Sequence, residues 1–163
     1  MKNPAAEATV VLLKEHGLTL ASAESCTGGL VAKLVTDISG SSEVFSGGVV
    51  SYSNEVKIKL LGVSPDTLSS YGAVSEDTAR EMALGARLAV GSDIAVSTTG
   101  IAGPTGGTSE KPVGTVCFGV ASSLGVRTYT KHFGEELSRN GIRTKAAEFA
   151  LFLAAEECER AVG

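Results

Sequence analysis

The sequence has little of what nucleic-acid binding, a disulfide framework or a metal site requires. Its formal net charge is −4, whereas affinity for nucleic acid depends mainly on a basic surface that neutralises phosphates. The three cysteines are widely spaced and the two histidines stand apart, which favours neither a disulfide framework nor a zinc site. We therefore expect no nucleic-acid partner, no metal and no cofactor.

Long apolar runs are also missing. No stretch approaches the ~20 consecutive apolar residues of a membrane span, and the first residues do not combine a basic segment with an apolar core as a signal peptide does. We therefore expect a cytoplasmic protein with no membrane partner. A chain of 163 residues with 43% hydrophobic residues suits a single domain, residues 1–163, with a sizeable core.

Glycine is the residue type in clear excess. The chain contains 20 glycines, more than the usual share of about 7%. They gather chiefly at 28–29, 47–48 and 100–107. This distribution indicates a site that is built from several glycine-bearing turns.

Hydrophobic periodicity predicts an alternation of helices and strands. The expected helices are 4–16, 28–38, 55–61, 75–90 and 138–159, and the expected strands are 18–22, 44–52, 92–98, 113–122 and 126–133. The first three strands alternate with helices and should be largely parallel, whereas the last two should form an antiparallel hairpin before the last helix. The predicted fold class is α/β, a three-layer α/β/α sandwich with a mixed, mainly parallel sheet.

The segment 23–29, AESCTGG, lies at the predicted turn from the first strand into the second helix. Backbone N–H groups at a helix start lack intrahelical acceptors, so this turn can hold an anion or a developing negative charge. Ser25 or Cys26 would supply a nucleophile. Alternatively, Ser25 or Thr27 only caps the helix, the glycines shape a tight turn, and Cys26 is an ordinary buried cysteine.

A base for such a nucleophile would have to be a lysine or a tyrosine, because no histidine lies near the turn. Tyr52 should end the second strand, and Lys57 should lie about one turn into a helix capped by Asn54. A desolvated lysine can become acidic enough to act as a base at moderate pH. The alternative is that Lys57 is solvated and Tyr52 is an aromatic at the edge of the core.

Phosphate binding is a further expectation. Arg139 and Arg143 are one turn apart near the start of the last helix and can hold a phosphate by charge-assisted bonds. Pairing with Glu135 or Glu136 is the alternative. Neither glycine loop carries the lysine of a Walker loop, and the first turn is not a dinucleotide fingerprint.

Four stretches taken together resemble the CinA carboxy-terminal domain family. They are AESCTGG at 23–29, GSS at 40–42 leading to YSNEVK at 52–57, GAVS at 72–75, and TGIAGP at 99–104 with GG at 106–107 and KPVGTV at 111–116. The likeness covers nearly the whole chain. It implies hydrolysis of the carboxamide of nicotinamide mononucleotide to nicotinate mononucleotide and ammonia, in a stand-alone form of a domain that other members join to a molybdopterin-binding-like domain. The family tends to form dimers, so a homodimer is expected.

The resemblance also implies roles for residues. Ser25 is the expected nucleophile, with Lys57 and Tyr52 nearby. As a further hypothesis, we expect the turn of Cys26, Thr27, Gly28 and Gly29 to stabilise the oxyanion, and we expect the substrate-binding residues to be Ser42, Thr99, Gly100, Ala102, Gly103, Gly106, Arg139 and Arg143. The segment 134–143 departs from the Gly-Asp-Arg pattern of the family. A nucleotide-binding regulatory module without turnover and a hydrolase of another small amide or ester stay open as alternatives.

Overall fold

A computed structural model describes all residues, 1–163. Helices and strands alternate along most of the chain, as the periodicity predicts. The elements are α1 (Pro4–His16), β1 (Leu20–Glu24), α2 (Leu30–Thr36), a short 3-10 helix (Ser41–Glu43), β2 (Phe45–Val50), α3 (Asn54–Leu61), α4 (Pro65–Tyr71), α5 (Glu76–Val90), β3 (Ile94–Gly100), β4 (Thr115–Ser122), β5 (Gly125–His132) and α6 (Arg139–Val162). The main addition is α4, which is not among the helices expected from the periodicity.

The strands form one five-stranded sheet in the order β2-β1-β3-β4-β5. β1 pairs in parallel with both β2 and β3, whereas β4 pairs antiparallel with both β3 and β5. Helices α1, α2 and α6 pack on one face of the sheet, and α3, α4 and α5 pack on the other. The predicted three-layer fold with a mixed sheet and a hairpin before the last helix is confirmed.

The two faces of the sheet bury different side chains, because successive residues of a strand point to opposite sides. Leu20, Ile94 and Val96 belong to the larger cluster beneath α1, α2 and α6. Ala21 and Ala95 belong to a smaller cluster beneath α3 and α5. Because alanine side chains are small, little side-chain volume separates the sheet from α5 on this face, and the helix lies close to the sheet.

Parallel pairing determines where the site can form. Because β1, β2 and β3 run in the same direction, the segments that follow them emerge at one edge of the sheet. Backbone bonds join these segments: the N–H of Ser25 donates to the carbonyl of Thr98 at 2.9 Å, and that of Ser51 donates to the carbonyl of Glu24 at 2.8 Å. None of the helices combines the length and apolar character needed to cross a membrane.

Candidate active site

Ser25 and Lys57 meet at this edge of the sheet. Ser25 directly follows β1, and Lys57 completes the first turn of α3. The side-chain nitrogen Nζ of Lys57 donates a hydrogen bond to Ser25 Oγ at 3.0 Å. Lys57 is 1% exposed and Ser25 is 8% exposed. The two residues that the sequence indicates as base and nucleophile are thus in direct contact within the protein interior.

Lys57 is held by main-chain acceptors on its other side. Its Nζ also donates to the carbonyl oxygens of Ser51 at 2.8 Å and Tyr52 at 3.2 Å. A protonated amine would use its three donors on these two oxygens and Ser25. A neutral amine can keep both carbonyl bonds and direct its lone pair at the hydroxyl of Ser25. The geometry therefore accommodates the neutral form that a base requires.

Burial changes the acidity of two groups in the site. Desolvation lowers the pKa of Lys57 from its ordinary value, and the neighbouring Cys26 opposes this shift. Desolvation raises the pKa of Cys26 to about 12, so its thiol stays protonated at neutral pH. A thiol is a far weaker nucleophile than a thiolate. These shifts favour Ser25 over Cys26 as the nucleophile.

The turn after Ser25 presents free N–H groups. The N–H of Gly28 donates to the carbonyl of Ser25 at 3.1 Å, whereas the N–H groups of Cys26, Thr27 and Gly29 donate to no other residue. Gly28 has φ +59° and Gly29 has φ +101°, a region that side chains disfavour. Unpaired N–H groups in a tight turn next to Ser25 can bind an anionic oxygen, whereas Gly28 contributes shape rather than a donor.

Glu24 occupies the start of α2, which the sequence indicates as an anion site. Its carboxylate is 1% exposed and accepts hydrogen bonds from the N–H groups of Val31 at 2.7 Å and Ala32 at 3.0 Å. It also accepts from the hydroxyl of Thr27 at 2.6 Å. The helix terminus is therefore satisfied by the protein's own carboxylate. Sequence reasoning missed this role, although a glutamate just before a helix start is a signal for it.

A cavity of about 300 Å³ opens beside Ser25. The expected residues that line it are Ser25, Cys26, Tyr52, Lys57, Thr99, Gly100, Ala102, Gly103, Gly106 and Arg139. Asn54, Ala73 and Val74 also line it, although no role was expected for them there. The sequence did indicate these positions, because all three residues lie within YSNEVK and GAVS, two of the stretches that carry the family resemblance. Asn54 is free to face the cavity because Ser53, rather than Asn54, caps α3.

Tyr52 and Arg139 lie together at the cavity. Tyr52 is 61% exposed, and its hydroxyl accepts a hydrogen bond from Arg139 Nη2 at 3.2 Å. Arg139 Nη1 donates to the carbonyl of Gly103 at 2.6 Å. The hydroxyl of Tyr52 thus contacts Arg139 and makes no hydrogen bond to Ser25 or Lys57. One guanidinium links the glycine loop to the segment that follows β2.

Two expected substrate-binding residues, Ser42 and Arg143, do not line this cavity. Ser42 is exposed in the 3-10 helix before β2. It lies near the opposite edge of the sheet from Ser25, because Ser42 precedes one of two parallel strands and Ser25 follows the other. Arg143 does not line the cavity. Its Nε and Nη2 donate to the carbonyls of Cys26 at 3.2 Å and Thr27 at 3.0 Å.

Comparison with known proteins agrees with this fold. The model of the CinA C-terminal domain family matches residues 2–158. The chain belongs to this family. The resemblance that the sequence motifs carry is therefore confirmed, and the Ser25 turn, α3 and the glycine loop all lie within the CinA C-terminal domain match.

Similar proteins include one of about the same length as this chain and others that are much longer. One is the nicotinamide-nucleotide amidohydrolase PncC of Enterobacter agglomerans, 54% identical over 146 residues that make up 89% of this chain and 88% of the relative. Another is a CinA-like protein of Chloroherpeton thalassium, 62% identical over 122 residues that make up 74% of this chain and 29% of the relative. The chain spans about a third of the length of such longer CinA-like proteins.

A solved structure supports the CinA C-terminal domain fold independently. The competence/damage inducible protein CihA from Agrobacterium tumefaciens is 39% identical and superposes with a TM-score of 0.89. The comparison covers 96% of this chain and 98% of that chain. Among the His, Cys, Asp and Glu side chains of the present structure, no group of three is placed to hold a metal ion.

Proposed function

We propose that this protein is an amidohydrolase that converts nicotinamide mononucleotide to nicotinate mononucleotide and ammonia, with Ser25 as nucleophile and Lys57 as base. The observation that carries the proposal is the 3.0 Å contact between Ser25 Oγ and the buried amine of Lys57. The name of the relative from Enterobacter agglomerans supports this choice of substrate. A buried lysine beside a serine also matches the general arrangement of an activated hydroxyl nucleophile.

The proposed reaction has two halves. Neutral Lys57 accepts the proton of Ser25 as Oγ attacks the carboxamide carbon, and the N–H groups of Cys26, Thr27 and Gly29 bind the oxyanion. Lys57 then gives this proton to the nitrogen of the leaving group, the C–N bond breaks, and ammonia leaves an acyl ester on Ser25. In the second half, water attacks the ester while Lys57 takes its proton. Return of that proton to Ser25 Oγ releases the carboxylate product.

Arg139 is the proposed ligand of the substrate phosphate. Its guanidinium lines the cavity, and its present acceptors are a neutral carbonyl and a neutral hydroxyl. A phosphate would replace these acceptors with stronger, charge-assisted ones. The contact between Tyr52 and Arg139 supports the same substrate-binding role for Tyr52 rather than a role in proton transfer. The glycine loop, 99–107, would line the ribose and nicotinamide.

The test is ammonia release from nicotinamide mononucleotide by the purified protein in the presence of a chelator, with Ser25→Ala and Lys57→Ala alongside. The wild type is expected to release ammonia, and both variants are expected to lose at least about 10²-fold in rate. Absence of release by the wild type would overturn the deamidase proposal. If the wild type binds the nucleotide without turnover, the protein is a nucleotide-binding module instead. Undiminished release by Ser25→Ala would overturn the nucleophile.

A homodimer in the cytoplasm is the proposed working form. Support for the dimer comes from exposed leucines on two adjacent helices: Leu60 on α3 is 50% exposed, and Leu84 and Leu88 on α5 are 41% and 71% exposed. The helices are adjacent because Gly85 packs directly against the backbone of Leu61. Light scattering should give twice the mass of the chain, and a monomer would contradict the proposal. Cell fractionation tests the location.

A further inference from the structure

Arg143 donates hydrogen bonds to backbone carbonyls of the turn that follows Ser25. Its Nε donates to the carbonyl of Cys26 and its Nη2 to the carbonyl of Thr27. No carboxylate lies within ion-pair distance of it, and it does not line the cavity. A half-buried cation with two main-chain acceptors and no anionic partner is arranged to hold a peptide segment in place.

The geometry of the peptide bond links these contacts to the oxyanion site. The carbonyl of Cys26 and the N–H of Thr27 belong to the same peptide, and in a trans peptide these groups point in opposite directions. Because the carbonyl points at Arg143, the N–H of Thr27 points away from it. This N–H donates to no other residue. Arg143 thereby fixes the direction of a free donor beside the nucleophile.

We propose that Arg143 is a positioning residue that orients the oxyanion-binding peptide after Ser25 and, through its positive charge, strengthens the N–H group of Thr27 as a donor. The inference rests on the proposed function of Ser25. It separates Arg143 from Arg139, although the two arginines are one helical turn apart. Arg139 reaches the cavity, whereas Arg143 reaches the turn from the side of α6.

Gly28 gives an independent reason for this assignment. A Cβ at Gly28 would lie 3.2 Å from Arg143 Nη2, and the residue has φ +59°. A side chain there would strain the backbone and crowd the guanidinium. The glycine therefore permits the contact. On the other side of the turn, the hydroxyl of Thr27 donates a hydrogen bond to the carboxylate of Glu24. The turn is therefore held by Arg143 at two carbonyls and by Glu24 at the Thr27 hydroxyl.

The test compares Arg143→Gln with the matched variant Arg139→Gln on two substrates, nicotinamide mononucleotide and nicotinamide riboside, which lacks the phosphate. Arg143→Gln is expected to lower kcat about 10- to 10²-fold on both substrates, since misplacing an oxyanion donor costs up to what losing it costs, and to leave KM nearly unchanged. Arg139→Gln is expected to raise KM for the mononucleotide alone. Arg143→Lys, which keeps the charge but lacks the two-pronged donor, should restore part of kcat.

The outcomes against the inference are distinct. Unchanged kcat in folded Arg143→Gln, or a rise in KM confined to the mononucleotide, would overturn it, and the second result would make Arg143 a phosphate ligand. A lower melting temperature with full kcat per folded molecule would show a merely stabilising contact. If Arg143→Gln does not fold, Arg143→Lys carries the test: a lowered kcat supports the inference and an unchanged kcat overturns it.

A second readout separates this inference from the choice of substrate. A fluorophosphonate probe forms a bond between phosphorus and Ser25 Oγ, releases fluoride and passes the serine proton to Lys57, and its phosphoryl oxygen needs the same N–H donors. The rate at which the probe labels Ser25 should fall in Arg143→Gln relative to the wild type. If the wild type is labelled but releases no ammonia, the deamidase proposal fails while the Arg143 inference stands. Equal labelling of wild type and Arg143→Gln would overturn the inference.

Discussion

Lys57 and Glu157 are each 1% exposed, yet their surroundings differ. Glu157, in α6, accepts a hydrogen bond from the hydroxyl of Ser122 at 2.6 Å and forms ion pairs with Arg127 at 2.6 Å and Arg160 at 2.7 Å. Lys57 has no carboxylate within ion-pair distance and contacts neutral oxygen atoms only. The buried carboxylate of Glu157 is thus compensated by two arginines, whereas the buried amine of Lys57 has no partner of opposite charge.

This difference separates a structural site from a reactive one. Burial raises the pKa of Glu157, but hydrogen bonds from Ser122, Arg127 and Arg160 outweigh it, so the pKa is lowered and the carboxylate form is favoured. Burial lowers the pKa of Lys57 and no carboxylate counteracts it. The paired carboxylate of Glu157 therefore stabilises one arrangement of helix and sheet. The buried amine of Lys57, which has no anionic partner, loses its proton more readily than an exposed lysine.

The largest expected effect is on activity when Lys57 is changed. Lys57→Met keeps the length of the side chain but removes the base, so kcat for ammonia release should fall by about 10²- to 10⁴-fold. The melting temperature should not fall much, because the variant also removes a buried amine that lacks an anionic partner. Steady-state kinetics and thermal unfolding measure both quantities.

The matched control for this variant is Lys59→Met on the same helix, where the lysine is exposed. It should keep full activity. Full activity in Lys57→Met, or a comparable loss in Lys59→Met, would contradict the distinction between the buried base and an ordinary surface lysine.

The second effect is on stability when Glu157 is changed. Glu157→Gln removes the carboxylate that pairs with Arg127 and Arg160, and the free energy of unfolding should fall by about 3 kcal/mol. This is the low end for a broken buried pair, because both arginines retain contact with solvent and Arg127 keeps its ion pair with Glu156. The kcat should be unchanged, since Glu157 does not line the cavity beside Ser25. Urea unfolding and kinetics check the prediction. A loss of kcat with unchanged stability would reverse the comparison.

Low pH should reduce the difference in stability between the wild type and Glu157→Gln. The folded-state pKa of Glu157 lies below that of the unfolded chain, so its stabilisation is fully present above the unfolded value of about 4.3 and is lost as pH falls through the folded value. The difference in unfolding free energy between wild type and Glu157→Gln should therefore shrink below about pH 4. A difference that stays constant down to pH 2 would show that the charge is not responsible.

The smallest effect is expected for Cys26, a third buried titratable group. Its pKa is raised to about 12 by burial, so the thiol takes no ionic part in the reaction at neutral pH. Cys26→Ala keeps the N–H group and should retain kcat within about threefold, or ~0.6 kcal/mol in activation free energy. Iodoacetamide should inactivate the wild type slowly at neutral pH. Rapid inactivation that Cys26→Ala abolishes would identify a reactive thiolate instead.

Much of the fold and the centre of the site follow from short-range sequence patterns. The strand, turn and helix around Ser25 depend on neighbouring residues, and the spacing from Tyr52 to Lys57 fixes where the lysine falls on α3. Parallel pairing of β1, β2 and β3 then brings the segments after these strands to one edge. The residue pattern alone left open whether Lys57 is solvated, and the resemblance to the family implied that it lies near Ser25, where the structure shows a direct contact.

The roles of Arg139 and Arg143 could not be separated in this way. Their spacing places both on one side of α6, but one turn advances about 5.4 Å along the axis. Arg139 thereby reaches Gly103 and Tyr52, whereas Arg143 reaches the Ser25 turn. What faces each guanidinium comes from strands distant in sequence. Ser42 precedes β2 and so lies toward the other edge of the sheet from Ser25, and its role in substrate binding stays a prediction.

The most direct test of the central claim is the pH dependence of kcat/KM for nicotinamide mononucleotide in the wild type and in Lys57→Met. Burial lowers the pKa of Lys57, and only its neutral form can take the proton of Ser25. The wild-type rate should therefore rise with pH and level off at an apparent pKa below the value of about 10.4 for a free lysine. The residual rate of Lys57→Met should lack this rise. The same rise in Lys57→Met would contradict the account, because another group would then be the base.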